Sequence, residues 1–413
     1  MDPQSLESLL VECALQEGFP LAGSVDFDLA FGDSAHAPRG PNFFQEPIQQ
    51  FDDWIAAGFS GSMDYLARGR NRRADPRLVF PPAQSIFCVA IPYPRRAAGA
   101  KSSAEGPRYS RYLQGGDYHV VIAEKLERVM QAVKSRWNGT PTSMLPAAFT
   151  PSSPVEPAEL SWKICVDTSA VLEKSWAALA GLGWIGKNTL LIHPKLGSYL
   201  FLGEVLINQK TGRSPAPLPN YCGNCTRCLD ACPTQAFQKP HQLDSNRCIS
   251  YWTLEKRGEL PMTQLDRKKI GSWVAGCDVC QEVCPFNLKP VKQEELLRSL
   301  LPEDAALSAS RNATALNTWA ALLEESPDEY KARVKNSAMK RIKPAQFSRN
   351  LAVALTQLIQ QSAKDPDTQA VIESLSPQIK GRLSREEDAI AKTDWQACVN
   401  ILSGQITQSN APN

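Results

Sequence analysis

The sequence predicts an α+β protein that carries a cysteine-rich module and ends in a helical region. Residues 1–215 alternate helical and strand-like apolar patterns, eight cysteines crowd between Cys222 and Cys284, and beyond about residue 290 helical patterns recur. A chain of 413 residues is long enough for two or three domains. The composition shifts place them at 1–215, 216–292 and 293–413, the last a helical-repeat module with no clean period.

Within the first unit, Leu6, Leu9, Leu10, Cys13 and Leu15 recur at helical spacing from Ser5 to Gly18. Ser85 to Ile91 is a short apolar run closed by Pro92, the pattern of a buried strand. Tyr118 to Trp137 reads as an amphipathic helix, and the proline-rich stretch 139–160 as a surface insertion. Trp162 to Val166 is a strand, Ala170 to Ala180 a helix ended by Gly181-Leu182-Gly183, and Tyr199 to Leu206 a second buried strand. The linker Ser214–Pro219 opens the cysteine block. Helices are then expected at Glu294–Leu301, Thr314–Leu323, Tyr330–Lys340 and Asn350–Gln361, with a frayed polar tail.

Hydrophobic residues make up 43% and charged residues 21%, and the net charge is only +2, so no global field marks a nucleic-acid or membrane partner. The N-terminus lacks a basic and apolar leader or a twin-arginine pair, and no stretch approaches the roughly 18 apolar residues of a membrane span. A cytoplasmic protein is therefore expected, with reduced thiols. Twelve cysteines then point to metal, not disulfides; Cys13, Cys88, Cys165 and Cys398 lie apart in apolar settings and read as core residues.

The first cysteine run is Cys222-x2-Cys225-x2-Cys228-x3-Cys232-Pro233, and the second keeps its tail, Cys277-x2-Cys280-x3-Cys284-Pro285. Two-residue gaps let three successive thiolates wrap one 4Fe–4S cluster, while the fourth cysteine of such a run ligates the other cluster. Cys248 is the best remaining ligand. The predicted sets are Cys222, Cys225, Cys228 and Cys284 for cluster one, and Cys232, Cys248, Cys277 and Cys280 for cluster two. A pair of structural zinc sites is the competing reading; its CxxC pairs stand further apart and do not need the two Cys-Pro endings. Two adjacent clusters form a wire, so something must accept the electrons.

Gly181 to Gly186 matches GxGxxG but follows a helix, not the strand a dinucleotide site needs. A cobalamin motif of the Asp-x-His-x-x-Gly type starts at Asp117-Tyr118-His119 and breaks at Ile122. A set of ordered blocks carries more information. Val166-Asp167-Thr168, Gly181 to Thr189 and Gly197 to Glu204 resemble epoxyqueuosine reductases. Gly61 to Leu66, Arg73 to Arg77, Ser110-Arg111-Tyr112, Gly115-x-Asp117-Tyr118-His119, Ser337 to Arg341 and Arg349-Asn350 agree in the same order. The likeness covers about residues 5–360. Ser60 stands where the family tends to have histidine, Gly116 where arginine is common, and 139–160 is extra.

The resemblance implies a nitroreductase-like cobalamin-binding domain, a ferredoxin-like module with two 4Fe–4S clusters, and a HEAT-like C-terminal module. It implies reduction of epoxyqueuosine to queuosine at the tRNA wobble position, with electrons passing through the clusters to a cobalamin that has no histidine on cobalt. By family position Asp167 is the acid that protonates the departing oxygen, a role for which burial must raise its pKa. The bland reading of Asp167 is a helix N-cap. Tyr112, Gly186, Lys187, Asn188 and Thr189 join Asp167 as cobalamin-site residues, and Tyr118 and His119 as substrate contacts; core packing and a self-bonded turn are the alternatives for these segments.

Lys331, Arg333, Lys335, Lys340, Arg341, Lys343 and Arg349 form a basic run without an intervening acid. It reads either as solvated helix faces or as a phosphate-binding surface, on which Lys340, Arg341, Lys343 and Arg349 are the expected tRNA contacts. The implied partners are a tRNA with a queuosine-type anticodon and a flavodoxin- or ferredoxin-type donor, acting on a monomer. Two competing functions are a corrinoid reductive dehalogenase and a simple cluster-bearing electron carrier.

Overall fold

The computed structural model describes residues 5–32, 42–93, 106–137, 159–260, 267–288, 315–362 and 365–404. Its strands are β1 (Leu21–Asp26), β2 (Ser85–Pro92), β3 (Arg108–Tyr109), β4 (Trp162–Cys165), β5 (Trp184–Ile185), β6 (Leu191–Ile192), β7 (Leu200–Ile207), β8 (Phe237–Lys239), β9 (Gln242–Leu243) and β10 (Trp273–Ala275). β1, β2, β7 and β4 lie in that order in one antiparallel sheet.

β2 is apolar throughout because it is covered on both faces. Phe87, Val89 and Ile91 point into one core with the Leu6–Gln16 and Tyr118–Arg136 helices. Ile86, Cys88 and Ala90 point into a second core built around Trp176 of the Glu173–Leu179 helix. Close approach matters on the first face: a Cβ at Gly203 would lie 2.7 Å from Ile122 and 2.9 Å from Leu126. The Leu6–Gln16 helix starts where Ser5 accepts the Ser8 N–H at 3.2 Å. Cys13, Cys88, Cys165 and Cys398 are buried, as apolar small residues should be.

The modules are stitched together. β3 pairs in parallel with β10, which belongs to the cysteine module. The Arg108 guanidinium lies 3.9 Å from the Trp273 ring centre and pairs with Glu282 at 2.8 Å. From the C-terminal helices, Asn350 donates to the Thr253 carbonyl at 2.8 Å and the Val274 carbonyl at 2.9 Å. One core cluster therefore runs from Leu6 to Cys398.

Several elements differ from expectation. The helix expected from Ala170 begins only at Glu173, with Leu172 and not Asp167 at its N-cap. The expected Tyr330–Lys340 helix is two pieces, Pro327–Val334 and a 3-10 turn at Ala338–Arg341, because the buried Ser337 hydroxyl caps a new turn at Met339. The helix expected from Asn350 starts at Pro344. Helices Pro366–Arg385 and Ala389–Leu402 extend the module beyond the patterns singled out in the sequence. The expected helix at 294–301 and nearly all of the 139–160 insertion lie outside the described residues.

Candidate active site

Asp167 stands just past β4 on a tight turn with φ of 56°, a left-handed conformation that is rare for a residue with a side chain. Three contacts hold the segment. Thr168 N–H donates to the Val166 carbonyl, Glu173 accepts the Asp167 backbone N–H, and Oδ2 of Asp167 lies 3.2 Å from Nε2 of His119. The other ring nitrogen of His119 is 2.6 Å from Oδ1 of Asp117. Asp117 also caps the Tyr118–Arg136 helix by accepting the His119 backbone N–H at 3.2 Å, so one carboxylate fixes both the backbone and the ring of His119. Lys340 completes the line as the ion-pair partner of the second Asp117 oxygen.

The charges set the proton's place. Burial pulls the His119 imidazolium down, but hydrogen bonds and charge from Asp167 and Asp117 outweigh it and raise its pKa. Burial pushes the Asp167 carboxyl up, yet the His119 bond and charge, with Arg341, leave it below its ordinary value. This corrects the expectation of an acid raised by burial: Asp167 keeps 44% of its side chain exposed, and the proton rests on its partner. Tyr118, buried, stacks on Phe201 at 4.3 Å and on His119 at 4.0 Å, and Tyr112 meets it edge-on at 6.3 Å. Both tyrosines form an aromatic wall behind the acid pair.

Gly181, at φ of 82°, ends the Glu173–Leu179 helix as expected, and residues 186–190 form the turn of a hairpin between β5 and β6. A Cβ at Gly186 would sit 2.8 Å from Oδ1 of Asn188, so glycine lets that side chain fold under the turn. Asn188 is buried, and its Nδ2 has no hydrogen-bond partner among the described residues. Lys187, expected to face a cofactor, instead donates to the carbonyls of Gly223 at 2.6 Å and Cys225 at 3.0 Å. Thr189, at φ of 64°, gives its carbonyl to Lys174 at 2.8 Å.

Burial and mutual repulsion sort the eight thiols into two groups. Burial pushes Cys228 up to about 11, with Cys284, Cys222 and Cys225 adding to it. Burial likewise raises Cys280, and its thiol neighbours are Cys277, Cys248 and Cys232. Cys248 itself is raised by burial and by Cys232. Among the described residues no three His, Cys, Asp or Glu groups converge on one ion-sized point. A cubane asks for something else, four thiolates spaced around a wider void. Trp184 donates its indole N–H to the Cys222 sulfur at 3.4 Å, and the Ala236 N–H donates to Cys232 at 3.3 Å.

The basic run is less free than its sequence implies. Arg333 is tied to Glu325, Arg341 to Glu255 and Lys331 to Asp328. Arg349 is buried and donates to the carbonyls of Trp252, Lys256 and Gly258, so it joins modules and is shielded from any phosphate. Lys335, Lys340 and Lys343 are exposed. Sequence reasoning also missed Glu173 and the role of Asp117; the Asp-x-His spacing at a helix start was the available signal for the latter.

A two-cluster cysteine module joined to a paired carboxylate and imidazole defines an iron–sulfur oxidoreductase. The family model described as "4Fe-4S double cluster binding domain" matches residues 221–287, and that described as "Epoxyqueuosine reductase QueG, DUF1730" matches residues 73–168. Epoxyqueuosine reductase of Synechococcus sp. (strain RCC307) is 35% identical over 355 residues, spanning 85% of this chain and 94% of the relative. That of Pseudomonas aeruginosa is 32% identical over 379 residues, 91% of this chain and 90% of the relative. A crystal structure of epoxyqueuosine reductase with a tRNA-Tyr epoxyqueuosine-modified stem loop aligns with TM-score 0.63 and 27% identity, covering 96% of this chain and 99% of the other. The Bacillus subtilis enzyme, with its aspartate catalytic loop swung out of the active site, aligns with TM-score 0.62 and 26% identity, covering 96% and 98%. The chain belongs to the epoxyqueuosine reductase family.

Proposed function

We propose that this chain reduces epoxyqueuosine to queuosine in tRNA, with Asp167 and His119 supplying protons and the eight clustered cysteines holding the clusters that bring electrons. Removing an epoxide oxygen to leave a carbon–carbon double bond breaks two C–O bonds, consumes two electrons and two protons, and releases water. The Asp117–His119–Asp167 line is the observation that carries this reading. It holds a transferable proton beside a half-exposed carboxylate, where a departing oxygen can take it. His119 passes that proton through Asp167 to the departing oxygen, solvent recharges the imidazole for the second proton, and Asp117 stabilises the imidazolium in between.

The two thiol groups support ligand sets of Cys222, Cys225, Cys228 and Cys284 for one cluster, and Cys232, Cys248, Cys277 and Cys280 for the other. Each cluster passes one electron at a time. The residues also fit a cobalamin. Asn188 would offer a buried amide donor, without a hydrogen-bond partner among the described residues, suited to a corrin amide, while both His119 nitrogens are already engaged by carboxylates. Tyr112 and the Gly186–Thr189 turn would line that site, and a bound cobalamin supplies a low-valent metal able to carry both electrons to the epoxide. Lys174, beside Glu173, lies within electrostatic reach of Cys280, which brings the cluster module close to the acid turn.

The tRNA reaches the site across exposed lysines of the C-terminal module, and the electron donor is a flavodoxin- or ferredoxin-type protein of the cytoplasm. The relatives matched are reductases of epoxyqueuosine, which disfavours the dehalogenase reading. The test is anaerobic reconstitution with iron, sulfide and cobalamin, then incubation with reductant and epoxyqueuosine-containing tRNA. Queuosine should appear in the digested tRNA, and Asp167→Asn should cut turnover by about 100-fold or more. Full turnover by that variant would overturn the assigned acid.

A further inference from the structure

The hairpin of β5 and β6 carries a residue that the proton and ligand assignments above leave unused. Trp184 opens β5 opposite Ile192 of β6. A Cβ at the preceding Gly183 would lie 2.5 Å from the Ile192 carbonyl oxygen, so glycine lets the two strands close. The Trp184 side chain is buried in a small core with Ile192 and Cys284, against which Cys222 and Phe286 also pack. Tyr221 and Phe286 meet its ring edge-on at 5.0 Å and 4.9 Å, which fixes its orientation. A buried indole N–H needs an acceptor, and this one donates to the Cys222 sulfur at 3.4 Å. Lys187 of the same hairpin ties down the loop that carries Cys222, through the carbonyls of Gly223 and Cys225. Trp252 shares a core with Cys248 and Cys277, yet its indole turns instead to the Asn246 carbonyl at 2.8 Å.

We propose that Trp184 is a positioning residue that raises the reduction potential of the cluster held by Cys222, Cys225, Cys228 and Cys284. Cys222 is a cluster ligand in the function proposed above, and Trp184 acts only through it. Reduction takes one electron from the donor protein and leaves one more negative charge on the cluster and its four thiolates; no bond breaks and no proton is needed. A hydrogen bond to a thiolate strengthens as that charge grows, so it favours the reduced form. Burial acts the other way, because excluding water opposes the added charge. The Trp184 ring, with Phe286, does the excluding, and its N–H offsets the cost at the sulfur it reaches. The Lys187 ammonium, held against the same loop, adds to the same preference. How readily this cluster accepts an electron is thus set from the hairpin whose turn holds Asn188 of the proposed cobalamin site.

The experiment is a redox titration, followed by EPR, of the full chain reconstituted with iron and sulfide, comparing wild type with Trp184→Phe. Phenylalanine keeps an aromatic ring beside Tyr221 and Phe286 and removes the N–H. One of the two cluster couples should move to lower potential. At the wild-type midpoint its reduced-to-oxidised ratio should fall by about fivefold or more, ~40 mV at about 59 mV per tenfold. The other couple should hold its potential, and iron should stay at about eight atoms per chain. A purely structural ring would leave both potentials alone, or raise one by admitting water to the cluster. Two unmoved couples, or a rise in either, in a variant with full iron would overturn the proposal. Pulsed EPR of the reduced wild type, with its indole nitrogens isotope-labelled, reads the bond directly. A nitrogen coupling should appear on one cluster and vanish in Trp184→Phe; its absence from wild type overturns the proposal even if the variant fails to fold. Iron well below about eight atoms in wild type instead refutes the ligand sets, so the two failures are distinguishable.

Discussion

At the scale of single residues, the site depends on where one proton sits. His119 is pinned between two carboxylates, at 2.6 Å from Asp117 and 3.2 Å from Asp167. Its raised pKa follows from them, and each carboxyl is held below its ordinary value despite burial. Replacing His119 with Gln keeps a hydrogen-bonding side chain but removes the titrating group. We expect kcat to fall by about 10²-fold or more at neutral pH. The linkage to folding has a definite sign. The stabilisation that His119 gains is fully present below its unfolded pKa of about 6.5 and fades as pH rises through the higher folded value. Thermal melting across that range should show the fade in wild type and lose it in His119→Gln. A wild-type profile identical to that of the variant would refute the imidazolium pairing.

At the scale of elements, a helix and the segment before it do different work. The buried end of the Pro344–Ser362 helix carries Arg349, whose guanidinium satisfies three backbone carbonyls of the cysteine module. Burial lowers its pKa to about 10, still charged at neutral pH. Arg349→Ala strands those carbonyls in the interior, and we expect a loss of about 3 kcal/mol or more in denaturant unfolding. The segment before that helix carries the exposed lysines proposed to meet phosphates. Charge reversal at Lys340 disturbs Asp117 as well as any phosphate, so exposed Lys335 and Lys343 make the cleaner test. Lys335→Glu with Lys343→Glu should weaken tRNA binding and reduce the slope of log affinity against log salt by roughly 1 to 2. An unchanged slope would remove the phosphate contacts from this segment.

At the scale of the whole molecule, the chain works by crossing its own modules. Cys284 returns from the end of the cysteine block to the Cys222 group, while Cys232 joins the Cys277 group. Lys187 binds the Cys222–Cys225 loop from the glycine-rich hairpin, and β3 zips onto β10. Cys248 is the proposed ligand that stands apart in sequence from both compact motifs. Cys248→Ala should lower reconstituted iron from about eight to about four atoms per chain, sparing the other cluster. Iron at the full value would break the assigned pairing.

Much of this was legible along the chain. Leu6–Gln16, β2, Tyr118–Arg136, β4 and β7 lie where apolar periodicity put them, because each buries a face whose pattern is local. The two cysteine runs announce iron–sulfur chemistry because thiolate spacing mirrors the size of a cubane. Asp167 was identifiable by its place in an ordered set of motifs. Its surroundings were not. Burial was expected to raise its pKa, yet His119 lies 48 positions away in sequence and reverses the sign. The basic run likewise seemed free of acids, because Glu325, Glu255 and Asp117 reach it only through space. Which elements form, and which side chains suit iron, could be read along the chain, since both depend on short-range pattern and residue chemistry. The lowered pKa of Asp167 and the availability of each arginine and lysine came only with the fold. Those depend on distances between charges and on exclusion of water, which exist only once remote segments pack together.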